Sequence, residues 1–236
     1  KALQGNLCRC TGYEPIVKAA EQVSLQRPST LFDPLEKTRA EIIARLWAMQ
    51  ASETISIASE EGRLIVPRSA DALARVLAAE PTATIVAGST DVGLWVTKQM
   101  RQLDPVIFIN HLTELQSIIA GEYGITIGAG VTYTRALETI ARKIPAFARL
   151  ITRIGGDQVR NMGTIGGNIA NGSPIGDSPP PLIALGAQLT LRSIEGVRRL
   201  PLEDYFIAYG KQDRKPGEFV ESVFVPYPVA DAKFAA

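Results

Sequence analysis

Gly163-Thr164-Ile165-Gly166-Gly167-Asn168-Ile169-Ala170-Asn171-Gly172-Ser173-Pro174-Ile175-Gly176-Asp177 decides how this chain is read. The stretch holds five glycines, two asparagines and one acid in fifteen positions, and no lysine or arginine. Glycine has no Cβ, so backbone N–H groups can approach a ligand closely. Successive N–H groups arranged this way form an anion-binding concavity that needs no cationic side chain. Such a run is poor material for the interior of a helix or strand. It predicts a loop that wraps a phosphate-bearing ligand.

Working outward, a second glycine site lies upstream. Thr84 to Ala87 reads as a buried strand running into Gly88-Ser89-Thr90-Asp91, with a helix from Gly93 to Met100. Backbone amides and two hydroxyls of such a turn suit pyrophosphate oxygens. Taken alone, the turn reads more simply as Ser89 or Thr90 capping a helix. With two glycine-rich loops in one domain, a single extended dinucleotide cradled by both becomes the better account. Gly128-Ala129-Gly130 superficially suggests a dinucleotide-binding turn, but Tyr133 stands where the third glycine belongs. It reads as a turn with Thr132 capping the next helix. Asp177 is placed either to hydrogen-bond a ribose or ribityl hydroxyl or to cap the segment before Pro179-Pro180-Pro181. His111 is the one histidine, which excludes histidine triads and multi-histidine metal sites. It reads as a surface or capping residue.

Around these loops the pattern divides the chain into 1–32, a connecting segment 33–62 and a domain 63–236. Glu14 to Val23 reads as a helix ended by Arg27-Pro28-Ser29-Thr30. Leu35 to Ala51 is a second helix, with Leu35, Ile42, Ile43, Leu46 and Met49 on one face; that face needs a neighbouring domain or a partner chain to cover it. Leu64 to Val66 is a strand, and Ser69 caps a helix facing Leu73, Val76 and Leu77 inward, ended at Glu80-Pro81. Val106–Asn110 and Ile125–Gly128 are strands, and Thr132–Lys143 and Ala148–Ile154 are helices. Leu182 to Leu185 is a helical turn. Gln188–Arg192 and Val197–Leu200 form a hairpin turned at Glu195-Gly196, and Gly217–Val225 is a last strand. Strands and helices mix without regular alternation, so the fold class is α+β.

Composition bounds the function. The chain has 236 residues, 46% apolar and 21% charged, with 25 basic against 24 acidic side chains. It can build a core, and it lacks the basic excess of a nucleic-acid binder. No apolar run reaches the length of a membrane span, and no secretory signal is evident, so the expectation is a reducing cytoplasmic compartment. Lys1 stands where a methionine would, which suggests a piece of a longer polypeptide. Cys8 and Cys10 are one residue apart, too close to bridge each other without strain. They are either two free thiols or half of a ligand set, since iron–sulfur clusters are held by four cysteines.

At these residues the chain resembles a known family. Ile85-Val86-Ala87-Gly88-Ser89-Thr90-Asp91, Gly163 to Asn168 and Ser173 to Asp177 resemble the FAD domain of molybdenum hydroxylases, with the strongest likeness to the small subunit of the bacterial xanthine dehydrogenases. Gly5-Asn6-Leu7-Cys8-Arg9-Cys10-Thr11-Gly12-Tyr13 resembles the end of their iron–sulfur region. The resemblance implies a two-lobed FAD-binding fold of the vanillyl-alcohol-oxidase type, preceded by a short helical remnant of the iron–sulfur domain. It implies that Ile85 to Asp91, Gly163, Thr164, Gly167 and Asn168 line the pyrophosphate and ribityl chain. Asn171 would lie near the flavin ring, Asp177 near ribityl or ribose hydroxyls, and Ile154 and Glu221 beside the adenine. Cys8 and Cys10 would ligate a [2Fe–2S] cluster whose other two cysteines, with the rest of the iron–sulfur domain, lie outside this sequence. A further C-terminal domain and its lysine contact to the flavin are expected beyond Ala236.

The implied activity is electron transfer: from a molybdenum centre on a molybdopterin-binding large subunit, through [2Fe–2S] clusters to FAD, and on to NAD in purine oxidation. The protein would then be part of a hetero-oligomer. No catalytic acid or base is assigned, because the cofactor carries the redox chemistry. The rivals are a flavoprotein subunit of another molybdenum hydroxylase and a non-catalytic nucleotide-binding scaffold.

Overall fold

The computed structural model describes Leu3 and residues 11–25, 34–50 and 52–229. Cys8, Cys10 and the helix stop at 27–30 lie outside the described residues. The chain divides into two compact units, Lys1–Ser52 and Glu53–Ala236.

The first unit carries two amphipathic helices, α1 (Tyr13–Leu25) and α2 (Pro34–Ala48). Surface pairs at helical spacing support them, Glu14 with Lys18 at 2.6 Å and Glu36 with Arg39 at 2.5 Å. Within this unit α2 leaves Leu35, Ile42, Leu46 and Trp47 uncovered.

The second unit is built in two lobes. The first contains β1 (Ile55–Ser59), β2 (Gly62–Val66), α3 (Ala70–Ala79), β3 (Thr84–Val86), α4 (Val92–Thr97) and β4 (Val106–Phe108). β1 falls inside the stretch expected to be a bare connector. It pairs antiparallel with β2, from Ile55 opposite Val66 to Ser59 opposite Gly62, so the unit starts earlier than residue 63. Its residues are all exposed, and the burial signal that marks Leu64–Val66 is missing from it. The sheet order is β1-β2-β4-β3, with both β2 and β3 parallel to β4. Ser69 caps α3 as its position predicts, accepting from Ala72 N at 3.0 Å. Leu73 and Leu77 of α3 bury against Ile65, Ile107 and Leu115.

The second lobe follows a 3-10 turn at Thr113–Gln116. It comprises β5 (Ile118–Ala120), β6 (Gly124–Gly128), α5 (Tyr133–Lys143), α6 (Pro145–Ile151), α7 (Asp157–Met162), α8 (Ile165–Asn171) and α9 (Pro179–Ala184). After these come β7 (Gln188–Ser193), β8 (Gly196–Pro201), α10 (Leu202–Tyr205), β9 (Phe206–Ala208), β10 (Lys211–Gln212) and β11 (Phe219–Pro226). Five strands form an antiparallel sheet in the order β5-β6-β11-β7-β8. The β7–β8 hairpin turns at Ile194-Glu195, one residue earlier than expected, because Ser193 already pairs with Gly196. The helices pack on one face of this sheet around Ile127, Ile140, Phe147, Ile151, Leu189 and Val223. Mixed parallel and antiparallel sheets with segregated helices make the fold α+β and two-lobed.

The glycine-rich stretch is the main correction. It was expected to avoid helix, yet Ile165 to Asn171 is α8. Glycine costs a helix about 1 kcal/mol per residue relative to alanine, and packing supplies the compensation. A Cβ on Gly166 would lie 2.4 Å from Ala129 Cα, so only glycine lets α8 sit on the Gly128–Gly130 turn. Thr164 caps the helix, accepting from Gly167 N at 2.9 Å.

Candidate functional site

A cleft of about 600 Å³ opens between the two lobes of the second unit. Its first wall is the end of β3 and the turn that follows. β3 is the edge strand of its sheet, so Thr84 and Ile85 face the cleft half-buried and only Val86 is fully buried. This corrects the expected buried strand. Ser89 holds φ +61, a left-handed conformation uncommon outside glycine and costing of order 1–3 kcal/mol. The carbonyls of Ser89 and Asp91 accept from Gly93 N and Leu94 N at 2.8 and 2.9 Å. The N–H groups of Gly88, Ser89, Thr90 and Asp91, by contrast, donate to nothing among the described residues. The turn therefore spends its acceptors internally and presents its donors, which is the polarity of an anion nest.

The opposite wall is the turn between α7 and α8. The two walls touch: a Cβ on Gly88 would stand 1.7 Å from Met162 O. Gly163 O accepts from Tyr133 N and Ile165 N donates to Val131 O, both at 3.1 Å, which fixes the turn to the start of α5. Behind it, Arg160 is 8% exposed and donates to Ile154 O and Gly155 O at 2.8 Å each, while also pairing with Asp157. The buried guanidinium shapes the 154–155 segment that lines one end of the cleft.

The floor carries a buried polar chain. Tyr133 OH lies 3.0 Å from Ser178 Oγ, which lies 2.6 Å from Asn168 Oδ1. Burial pushes the Tyr133 phenol up to about 12, outweighing its hydrogen bond to Ser178. At the mouth stand Asn171, Ser173 and the exposed Asp177. Gln212 Nε2 donates to Ala170 O at 2.9 Å and its Oε1 accepts from Tyr205 OH at 3.0 Å, anchoring the end of α8 to β10 and α10.

Of the residues singled out in the sequence, Ile85, Ala87, Gly88, Ser89, Thr90, Asp91, Ile154, Gly163, Thr164, Gly167, Asn168, Asn171 and Asp177 line this one cleft. Val86 and Glu221 do not. Val86 is buried, at 3% exposed. Glu221 is the extra residue of a bulge between Val220 and Ser222, which re-aims its side chain. Its carboxylate meets Arg192 Nη1 at 2.7 Å instead. His111 is half-buried with Nε2 2.5 Å from Pro67 O, a tie between segments and not a ligand site.

The sequence reading missed Tyr133, Trp95, Arg214, Phe219 and Val220, all of which line the cleft. Arg214 is the one cation among the described lining residues, against two acids, Asp91 and Asp177. The described lining residues thus offer an anion chiefly backbone amides. No group of three or more metal-capable side chains occurs among the described residues, and none of the described helices is long and apolar enough to cross a membrane.

Comparison with known proteins accords with this geometry. Residues 57–228 match the family described as the FAD binding domain in molybdopterin dehydrogenase. The xanthine dehydrogenase/oxidase of Gallus gallus is 29% identical over 302 residues, covering 100% of this chain and 22% of that protein. Aldehyde oxidase 2 of Macaca fascicularis is 28% identical over 278 residues, covering 96% of this chain and 20% of that protein. The chain thus spans about a fifth of these relatives' length. Among solved structures, quinoline 2-oxidoreductase from Pseudomonas putida 86 superposes with TM-score 0.66 at 26% identity, over 70% of this chain and 58% of that one. A carbon monoxide dehydrogenase from Hydrogenophaga pseudoflava gives TM-score 0.69 at 26% identity, over 74% and 62% respectively.

Proposed function

Because the chain belongs to the family of FAD-binding domains of molybdopterin dehydrogenases, we propose that its inter-lobe cleft holds FAD as the electron-transfer site of a xanthine-oxidising enzyme. The observation that carries the placement is the contact of the two glycine loops beside four undonated N–H groups. In this reading the amides of Gly88 to Asp91 bind the pyrophosphate from one side, and Gly163 to Asn168 close on it from the other. Ile154 packs on the adenine, Asp177 accepts from ribityl or ribose hydroxyls, and Asn171 lies beside the flavin ring.

FAD supplies the redox chemistry when bound. This chain's residues bind it, orient it and shield it from water. Tyr133, Ala129 and Ile154, each at most 7% exposed, supply the dry side of the cleft. Electrons would arrive from the molybdenum centre of a large partner subunit through [2Fe–2S] clusters, with Cys8 and Cys10 as two of the thiolate ligands, and leave to NAD. The likeness to xanthine dehydrogenase over the whole chain supports the purine substrate.

A second reading, the flavoprotein part of a different molybdenum hydroxylase, draws support from the fold likeness to the quinoline and carbon monoxide enzymes. One experiment separates them. The chain is assembled with its molybdenum-binding partner, and bleaching of the flavin band is followed after mixing with xanthine, quinoline or carbon monoxide. Bleaching by xanthine alone, reversed by NAD, is expected. Bleaching by another substrate only would move the protein to the second reading, and an assembly that retains no flavin would sink both in favour of a non-catalytic scaffold.

A further inference from the structure

We propose that Tyr133 and Ser178 are positioning residues that lock the Asn168 side-chain amide with its NH₂ group toward the cleft, so that Asn168 donates to an acceptor oxygen of the ligand. The identity of that ligand, FAD, rests on the reading above. The orientation follows from donor bookkeeping. Asn168 Oδ1 faces two groups of Ser178, the main-chain N–H at 3.4 Å and the hydroxyl at 2.6 Å. A main-chain N–H can only donate, so the amide oxygen must face it. A flipped amide would set donor against donor. The Ser178 hydroxyl has one proton, and Oδ1 takes it. The 3.0 Å contact between Ser178 Oγ and Tyr133 OH is then made with the phenol donating.

The chain of donation has one direction, from Tyr133 through Ser178 to Asn168. Ser178 is 0% exposed and Tyr133 3%, so water does not substitute for either. Burial keeps the phenol protonated across the physiological range. At the other end, Asn168 Nδ2 has no partner among the described residues, while Asn168 lines the cleft. A side chain that could present either an acceptor or a donor is thereby restricted to donating. That suits a ligand rich in phosphate and hydroxyl oxygens, in a cleft with one cation among its described lining residues.

FAD titration of the full chain by flavin fluorescence tests this. Ser178→Ala leaves only the long 3.4 Å main-chain contact, which sets the sense of the amide but does not hold it. It is expected to raise the FAD dissociation constant about tenfold, the size of one charge-assisted hydrogen bond. Ser178→Thr, which keeps the hydroxyl, restores most of the affinity. Tyr133→Phe combined with Ser178→Ala removes both hydroxyls without orphaning a buried donor, and is expected to lose affinity while the apo protein keeps its melting temperature. In an Asn168→Ala background Ser178→Ala has no further effect, because its action passes through that amide. An equal loss in both backgrounds, or no loss in the parent background, overturns the inference while leaving FAD binding intact. A parent chain that binds no FAD overturns the cofactor reading and this inference together.

Discussion

Replacing Gly88 with alanine is expected to abolish useful FAD binding while leaving most of the fold in place. The new Cβ would stand 1.7 Å from Met162 O and 2.5 Å from Met162 C, both backbone atoms. A side-chain obstacle could rotate away, but a backbone carbonyl moves only if the turn carrying it moves. Gly163, next in the chain, is tied through its carbonyl to Tyr133 N at 3.1 Å. The two loops must part, and overpacking of this kind costs about 3 kcal/mol. A ligand that needs both loops in contact would lose that energy as affinity, about a hundredfold in the dissociation constant. Isothermal titration of the apo variant with FAD measures it, with circular dichroism as the check on folding. A variant that binds like the parent would show that the loops do not grip one ligand together.

The second large effect concerns stability. Arg198 Nε and Nη2 meet the two carboxylate oxygens of Glu218 at 2.6 and 2.8 Å, and Arg198 Nη1 reaches Asp213 at 2.7 Å. Lys215 N donates to Glu218 at 2.7 Å. Glu218 is 6% exposed. Burial by itself would push its carboxyl up, but the Arg198 fork and the Lys215 N–H outweigh burial and hold it below the ordinary range. Arg198→Met leaves a buried carboxylate without its partner, a class of change that costs 3–5 kcal/mol. Arg198 itself is 29% exposed, which favours the lower end, about 3 kcal/mol, or a melting temperature lower by roughly 6–12 °C.

The pH dependence carries the sign. A folded-state value below the unfolded one stabilises the protein above the ordinary glutamate range near ~4.3, and that stability is lost as pH falls through the lower folded value. In Arg198→Met, burial dominates and raises the Glu218 value. Protonation then relieves the strain, and the acid limb of the stability curve flattens or reverses. Melting temperatures of parent and variant between neutral pH and about pH 4 provide the check. Parallel curves would mean that Arg198 does not control this carboxylate.

Much of this was legible in the sequence because it depends on local chemistry. Ser69 and Thr132 cap helices where hydroxyls precede apolar periodicity, and the β7–β8 hairpin follows from two alternating runs around a short turn. What escaped depends on approach between distant segments. α8 looked like a loop because Gly166 and Gly167 lower helix propensity. Their meaning is set by Ala129, far away in sequence, against which Gly166 packs. β1 is exposed throughout, so no burial pattern announces it. In the sequence Tyr133 figures only as the residue standing where a third glycine belongs, and only the fold brings Ser178 to its hydroxyl. A signal did exist: a tyrosine at the start of a helix, directly after the Gly128–Gly130 turn, is an aromatic placed where the backbone approaches a ligand. Glu221 failed for the opposite reason, because a one-residue bulge redirects it in a way that alternation cannot anticipate.

The unit has two separate apolar cores, one around Leu73 and Ile107 and the other around Ile140 and Phe147. The cleft lies between them, bounded by Ile85 on one side and Ile154 on the other. A ligand there binds only when both cores are folded and docked, so its binding free energy, about 2.7 kcal/mol at a hundredfold excess over the dissociation constant, is assigned to the joint and not to either half. Without it, the halves can open as independent cooperative blocks. With it, melting becomes a single event, and amide hydrogen exchange slows at β3 and α8. The cofactor is in this sense the third element of the hydrophobic core, which the polypeptide leaves for something else to complete.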